Sequence, residues 1–139
     1  MVDPKMVVVD TNLLVRYLTL DDPEKAKAVE LLFDRASKRE IYILLPAVVI
    51  AELVWVLESF YKMKAAEISE LIEAILNTPG FEVQEREILL STIKTYNERG
   101  IDLVDAWIIE FAKEKGISTI YSFDKKHFRN IDGLSLRQP

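Results

Sequence analysis

Four acidic residues in this chain stand where carboxylates are costly to place. Asp10 follows the run "MVVV" and precedes "TNLLV". Glu52 is the sole charged residue between Glu40 and Glu58, inside "IYILLPAVVIAELVWVL". Asp105 sits in "IDLVDAWII" and Asp124 in "YSFDKKHF". If the four converge, two carboxylates about 4 Å apart repel by ~4 kcal/mol at an effective dielectric near 20. A bare cluster would then take up protons, whereas bound divalent cations reverse that balance. An all-oxygen set suits Mg2+ or Mn2+ and not zinc. Such a site does metal-assisted hydrolysis, with water made nucleophilic near neutral pH and charge on an attacked phosphate offset. His127, the single histidine, reads as a surface or substrate-contact residue and not as a ligand.

Each acid also has a structural explanation. Asp10 and Asp124 precede helical-looking segments and could cap them. At roughly 100° per residue, Glu52 shares its helix face with Val48, Val49, Trp55, Val56 and Ser59. A buried salt bridge to an arginine, or a partly exposed helix, would account for it. Asp105 is surrounded on the wheel by Ile101, Ile108, Ile109 and Ala112, with Asp102 nearby. Asp102 fits an N-cap or a first-turn acid that favours the helix dipole. Asp105 lies too far along to cap, and two acids one turn apart repel, so something positive is expected on that face.

Short apolar strands alternate with helices to position these residues. "KMVVVD", "IYILL", "FEV", "ISTIYS" and "LSL" read as strands. "TNLLVRYLTL" reads as a first helix. "DDPEKAKAVELLFDRASKRE" reads as a second, with Asp22 as N-cap, Pro23 at the first helical position, and a core stripe of Ala28, Val29, Leu31, Leu32 and Ala36. Pro46 starts the helix "PAVVIAELVWVLESFYK". "KAAEISELIEAILNTPG", "EREILLSTIKTYNERG" and "DLVDAWIIEFAKEKG" are further helices, and "DKKHF" is a short turn or helix. This alternation predicts an α/β sandwich around a mainly parallel sheet. In such sheets sites form beyond the carboxyl ends of the strands, where Asp10 and Asp124 both fall.

Bulk composition narrows the class. The 139 residues fit a single domain, 1–139, with a full core. No cysteine is present, so disulfides, thiolate metal sites and cysteine nucleophiles are excluded. The start "MVDPKMVVVD" lacks a leader pattern, and Pro46 and Glu52 break the longest apolar run, so a cytoplasmic protein with no membrane span is expected. Abundant Lys, Glu, Ile and Val hint at a thermophile. The net charge of −5 gives no general attraction to phosphate. Two divalent cations would cancel four of those five excess charges. Arg16, Lys125, Lys126, His127 and Arg129 lie near the acids in sequence, as phosphate contacts or as solvated surface charge.

"VVVDTNLLV", "VIAELVWVL", "IDLVDAWII" and "YSFDKKHF" resemble, in order, the four acidic motifs of PIN-domain ribonucleases, many of them toxins of the VapC type. The resemblance spans almost the whole chain. It implies a PIN-like three-layer sandwich with a central, mainly parallel sheet of four or five strands flanked by helices. It makes Asp10, Glu52, Asp105 and Asp124 the catalytic, metal-holding acids. Thr11, Asn12 and Ser122 match supporting polar positions, and Asp102 matches a position that is often acidic. The implied activity is Mg2+- or Mn2+-dependent hydrolysis of RNA leaving a 5′-phosphate and a 3′-hydroxyl. The implied partners are an RNA substrate, an antitoxin protein and a second copy in a homodimer, for which "LVWVLESFYKM" offers an interface if it is not core.

Two other readings stay open at this point. One is a non-catalytic PIN scaffold that binds nucleic acid or a partner. The other is a haloacid-dehalogenase-type phosphatase, whose nucleophilic aspartate also follows a strand. That family wants a second aspartate two positions on, where this chain has Asn12.

Overall fold

The computed structural model describes residues 5–139. The first four, part of the stretch expected to hold no leader, lie outside the described residues. The chain forms two compact units, Met1–Arg86 and Glu87–Pro139.

The first unit is built on a parallel three-stranded sheet of β1 (Lys5–Val8), β2 (Ile41–Leu45) and β3 (Phe81–Val83), in that order. Register pairs Val7 with Ile43 and Leu45 with Val83. Helices α1 (Thr11–Thr19) and α2 (Pro23–Ser37) connect β1 to β2, and α3 (Ala47–Ser59) and α4 (Ala65–Leu76) connect β2 to β3. Ile43 and Leu45 of β2 are fully buried with Leu14, Ile50, Leu53 and Leu57. Burial of such side chains, about 1.5–3 kcal/mol each, holds the helices to the sheet.

Caps set the helix starts. The Asp22 side chain accepts from Lys25 N at 3.2 Å, with Pro23 opening α2, as its sequence pattern predicts. Pro46 is the N-cap of α3 and not its first residue. The buried face of α2 differs from the expected stripe. Ala26, Val29, Phe33 and Ala36 face inward, while Leu31 is 61% exposed. Phe33 decides this, because its ring packs on Tyr17 and edge-on against Phe81, at centroid distances of 4.9 and 5.0 Å. Leu31, two residues away on the helix, is thereby turned outward.

The second unit contains α5 (Arg86–Arg99, starting at the boundary), α6 (Leu103–Glu114), β4 (Thr119–Tyr121), the short α7 (Lys125–Phe128) and β5 (Ser135–Arg137). Its two strands pair in parallel, Ile120 opposite Leu136. Thr95 Oγ1 donates to Glu110 Oε1 at 2.5 Å and ties α5 to α6. All described ladders are thus parallel, and the strands number five, but hydrogen bonding groups them as a sheet of three and a sheet of two. Among the described residues no helix is long and apolar enough to cross a membrane.

Gly80 carries the turn into β3. Its φ is +85°, and its carbonyl accepts from Ile43 N at 2.8 Å. A Cβ there would lie 2.3 Å from the backbone oxygen of Ala36. Gly100 shares the positive φ, at +65°, but has open space around it. Gly80→Ala should therefore destabilise by more than about 2 kcal/mol, and Gly100→Ala by about 1 kcal/mol. Urea unfolding of both variants checks the difference.

Candidate functional site

In the first unit Asp10 stands two residues beyond the end of β1, with β-region backbone angles (φ −79°, ψ 157°) at the N-cap of α1. Its Oδ1 accepts from Thr11 N at 2.6 Å, and its Oδ2 accepts from Asn12 Nδ2 at 3.3 Å. Thr11 is buried beneath it. Asp10 does cap, yet its carboxylate remains exposed.

Glu52 shares a cleft of about 330 Å³ with Asp10, Asn12, Arg16, Phe60 and Tyr61. The apolar neighbours on its helix face are not burying it. Glu52 is exposed, with Val48 72% and Trp55 60% exposed beside it. Helix α3 instead buries Ile50, Leu53, Val54 and Leu57. Among the described residues none forms an ion pair with Glu52, so the buried-salt-bridge explanation is replaced by an exposed carboxylate on a cleft. Of "LVWVLESFYKM", Leu53, Val54 and Leu57 are core, while Trp55 and Phe60 point outward.

Arg16 reaches the same cleft with its guanidinium held. Asp21 accepts from Arg16 Nη1 at 3.1 Å, from Thr19 Oγ1 at 3.0 Å and from Tyr61 Oη at 2.7 Å. The Tyr61 hydroxyl foremost, then Thr19, with Arg16 adding less, holds the Asp21 carboxyl below the ordinary carboxylate range.

The second unit gathers the remaining acids on one imidazole. Asp105, in the first turn of α6, places Oδ2 2.6 Å from His127 Nδ1. Asp124 Oδ2 lies 3.1 Å from the same nitrogen. An ionised carboxylate only accepts, so the Nδ1–H tautomer donates to Asp105, with Asp124 close to the same nitrogen. Asp124 is the N-cap of α7, its Oδ1 accepting from Lys126 N and His127 N at 3.1 Å each. Ser122 Oγ accepts from Asp124 N at 2.9 Å. Asp102 occupies the N-cap position of α6 without a side-chain cap bond. Its carboxylate groups with Asp105 and His127 instead, ligand atoms within 4.8 Å of one another.

His127 is the residue that sequence reasoning misplaced. It is half-buried on two carboxylates and supplies the positive edge expected beside Asp105. A signal was present: Asp124 and His127 are three residues apart, which folds the ring back over the carboxylate once Asp124 caps. The donor set has two carboxylates and an imidazole. These three groups together could hold a divalent cation. This group adds an imidazole to the all-oxygen set expected from the sequence.

A model of the PIN domain matches residues 7–134, which include all four acids. The chain belongs to the PIN domain family. A VapC ribonuclease from Aquifex aeolicus (strain VF5) is 32% identical over 121 residues, covering 87% of this chain and 89% of that protein. The helix-rich α/β build with parallel strands is the PIN-like class expected from the sequence.

Two outcomes follow for this PIN chain. Asn caps as well as Asp, so Asp10→Asn should retain stability to within a few tenths of a kcal/mol, while Asp10→Ala should lose about 1 kcal/mol, as read by thermal unfolding. Tyr61→Phe removes the main donor to Asp21 and should move that carboxyl's NMR titration upward. The wild-type network stabilises the fold above the ordinary carboxylate range and loses that contribution as pH falls through the depressed value.

Proposed function

We propose that this PIN-domain protein is an RNA-cleaving phosphodiesterase dependent on Mg2+ or Mn2+, and that residues 1–139 work as one domain. The observation that carries the reading is the extended match to a VapC ribonuclease, over 87% of the chain. The cluster of Asp102, Asp105 and His127 supports it through its two carboxylates, which suit hard divalent cations.

In this reading Asp10, Glu52, Asp105 and Asp124 are the metal-holding acids, and Asp102 and His127 assist them. Of the two ions, Mn2+ better tolerates the imidazole nitrogen. A divalent cation supplies Lewis acidity, making water acidic enough to attack phosphorus near neutral pH and offsetting charge on the phosphate. The chain's own residues orient the acids. Thr11 and Asn12 fix the Asp10 carboxylate, and the α7 N–H groups fix that of Asp124. His127 holds Asp105 and Asp124 against their mutual repulsion. Arg16 binds phosphate. The products carry a 5′-phosphate and a 3′-hydroxyl.

The protein acts as the toxin of a toxin–antitoxin pair in the cytoplasm, where its RNA substrate is. An antitoxin protein inhibits it, and it works as a homodimer. The exposed Val48 and Trp55 of α3 give such contacts apolar area.

Cleavage of single-stranded RNA by the purified protein, with Mn2+ and with EDTA, tests this. Wild type should cleave with Mn2+, stop with EDTA and recover on re-addition. Asp10→Asn and Asp105→Asn should lose more than the roughly 10- to 100-fold that loss of an outer-shell partner costs. Equal activity in all three proteins overturns the assignment, as does RNA binding without turnover at any Mn2+ concentration.

A further inference from the structure

The cleft holding Asp10 and Glu52 has an exposed aromatic side chain that neither metal binding nor phosphate binding explains. Phe60 lines it and is 74% exposed. A lone exposed phenylalanine on an open surface needs no explanation. This one stands on the wall of a cleft that it shares with two carboxylates, a guanidinium, Val15 and Val56.

Its position is fixed from both sides. Phe60 is the C-cap of α3, with its N–H donating to Val56 O at 2.9 Å. The chain then turns through Lys62 at φ +53°, and Met63 N donates back to Leu57 O at 3.1 Å. Tyr61, the next residue, is latched to Asp21 through its hydroxyl at 2.7 Å. The same Asp21 holds Arg16. One network therefore sets the backbone under the Phe60 ring and the guanidinium across the cleft. A solvent-facing aromatic ring on a fixed backbone, with a held cation in the same cleft, is what a single-stranded nucleic acid uses: a face for a base and a charge for the adjoining phosphate.

We propose that Phe60 is a stacking platform for one nucleobase of single-stranded RNA, with Arg16 holding the neighbouring phosphate, so that this cleft positions the strand over Asp10 and Glu52. The proposal rests on the ribonuclease reading and adds the subsite that seats the substrate. Stacking accepts any base, because every base has a π-face, so this subsite contributes affinity and register and little base identity. Tyr61 acts through Asp21 as a positioning residue for Arg16.

The test is binding of two fluorescein-labelled single-stranded RNAs of one length in EDTA, one with all bases and one abasic at a central run. Fluorescence anisotropy reads wild type, Phe60→Ala, Phe60→Trp and Arg16→Ala, and size-exclusion chromatography and thermal melting accompany each. Wild type should prefer the RNA with bases. Phe60→Ala should bind it about tenfold more weakly, lose the preference over the abasic strand and keep its melting temperature. Phe60→Trp should retain the preference and show tryptophan quenching on binding. Arg16→Ala should weaken both strands alike and flatten the salt dependence. Unchanged binding and preference in Phe60→Ala, while wild type still cleaves RNA with Mn2+, overturns this subsite alone. Unchanged binding with a shift in oligomeric state makes Phe60 a protein contact and overturns it equally. A wild type that neither binds nor cleaves RNA overturns the ribonuclease reading, and this inference with it.

Discussion

A helix begins with N–H groups that no residue inside the helix can satisfy. Two of the four acids are held by that requirement. Asp10 gives one oxygen to the first N–H of α1, and Asp124 gives one to two N–H groups of α7. A carboxylate with one oxygen tied cannot rotate freely, so its second oxygen is aimed. In Asp10 that oxygen receives Asn12, and in Asp124 it meets the His127 ring. The cap therefore fixes each carboxylate and still leaves one of its oxygens free of the helix N–H groups. The strands matter because they end where these caps begin.

Asp105 depends on a different device. It sits half-buried in the first turn of α6, near a second acid, where an unpaired charge is unfavourable. The His127 N–H at 2.6 Å compensates it. Because the same nitrogen also faces Asp124, the imidazole links α6 to the start of α7. Asp102, with no cap bond to make, leaves its carboxylate available to that group. The lone histidine thus organises the acids of the second unit.

Helix α3 shows how an apolar sequence can carry two functions. Ile50, Leu53, Val54 and Leu57 are the packing face. Glu52 belongs to the opposite side and lines the cleft with Asp10 and with Phe60, the residue that caps the helix. Apolar residues on that outer side, Val48 and Trp55 among them, are not core at all. A largely apolar helix can thus bury one face and still present apolar residues beside a carboxylate on the other.

What could be read from the sequence is what local chemistry controls. Strand and helix order, the Asp22–Pro23 start of α2, the caps at Asp10 and Asp124 and the stop near Gly100 all arise from residues within a turn of one another. The four acids stood out for the same reason, since a carboxylate inside an apolar run is visible without a fold. The sequence did not reveal the inward face of α2, because Leu31 and Phe33 are equally apolar and only packing on Tyr17 and Phe81 distinguishes them. It did not show which side of α3 is exposed, since both sides are apolar. It did not place His127 on Asp105, 22 residues away, or Tyr61 on Asp21, 40 residues away. Those contacts have no periodicity and no spacing rule. They exist only once the chain has closed long loops, so tertiary structure alone decided what holds Asp105 and which aromatic ring stands in the cleft.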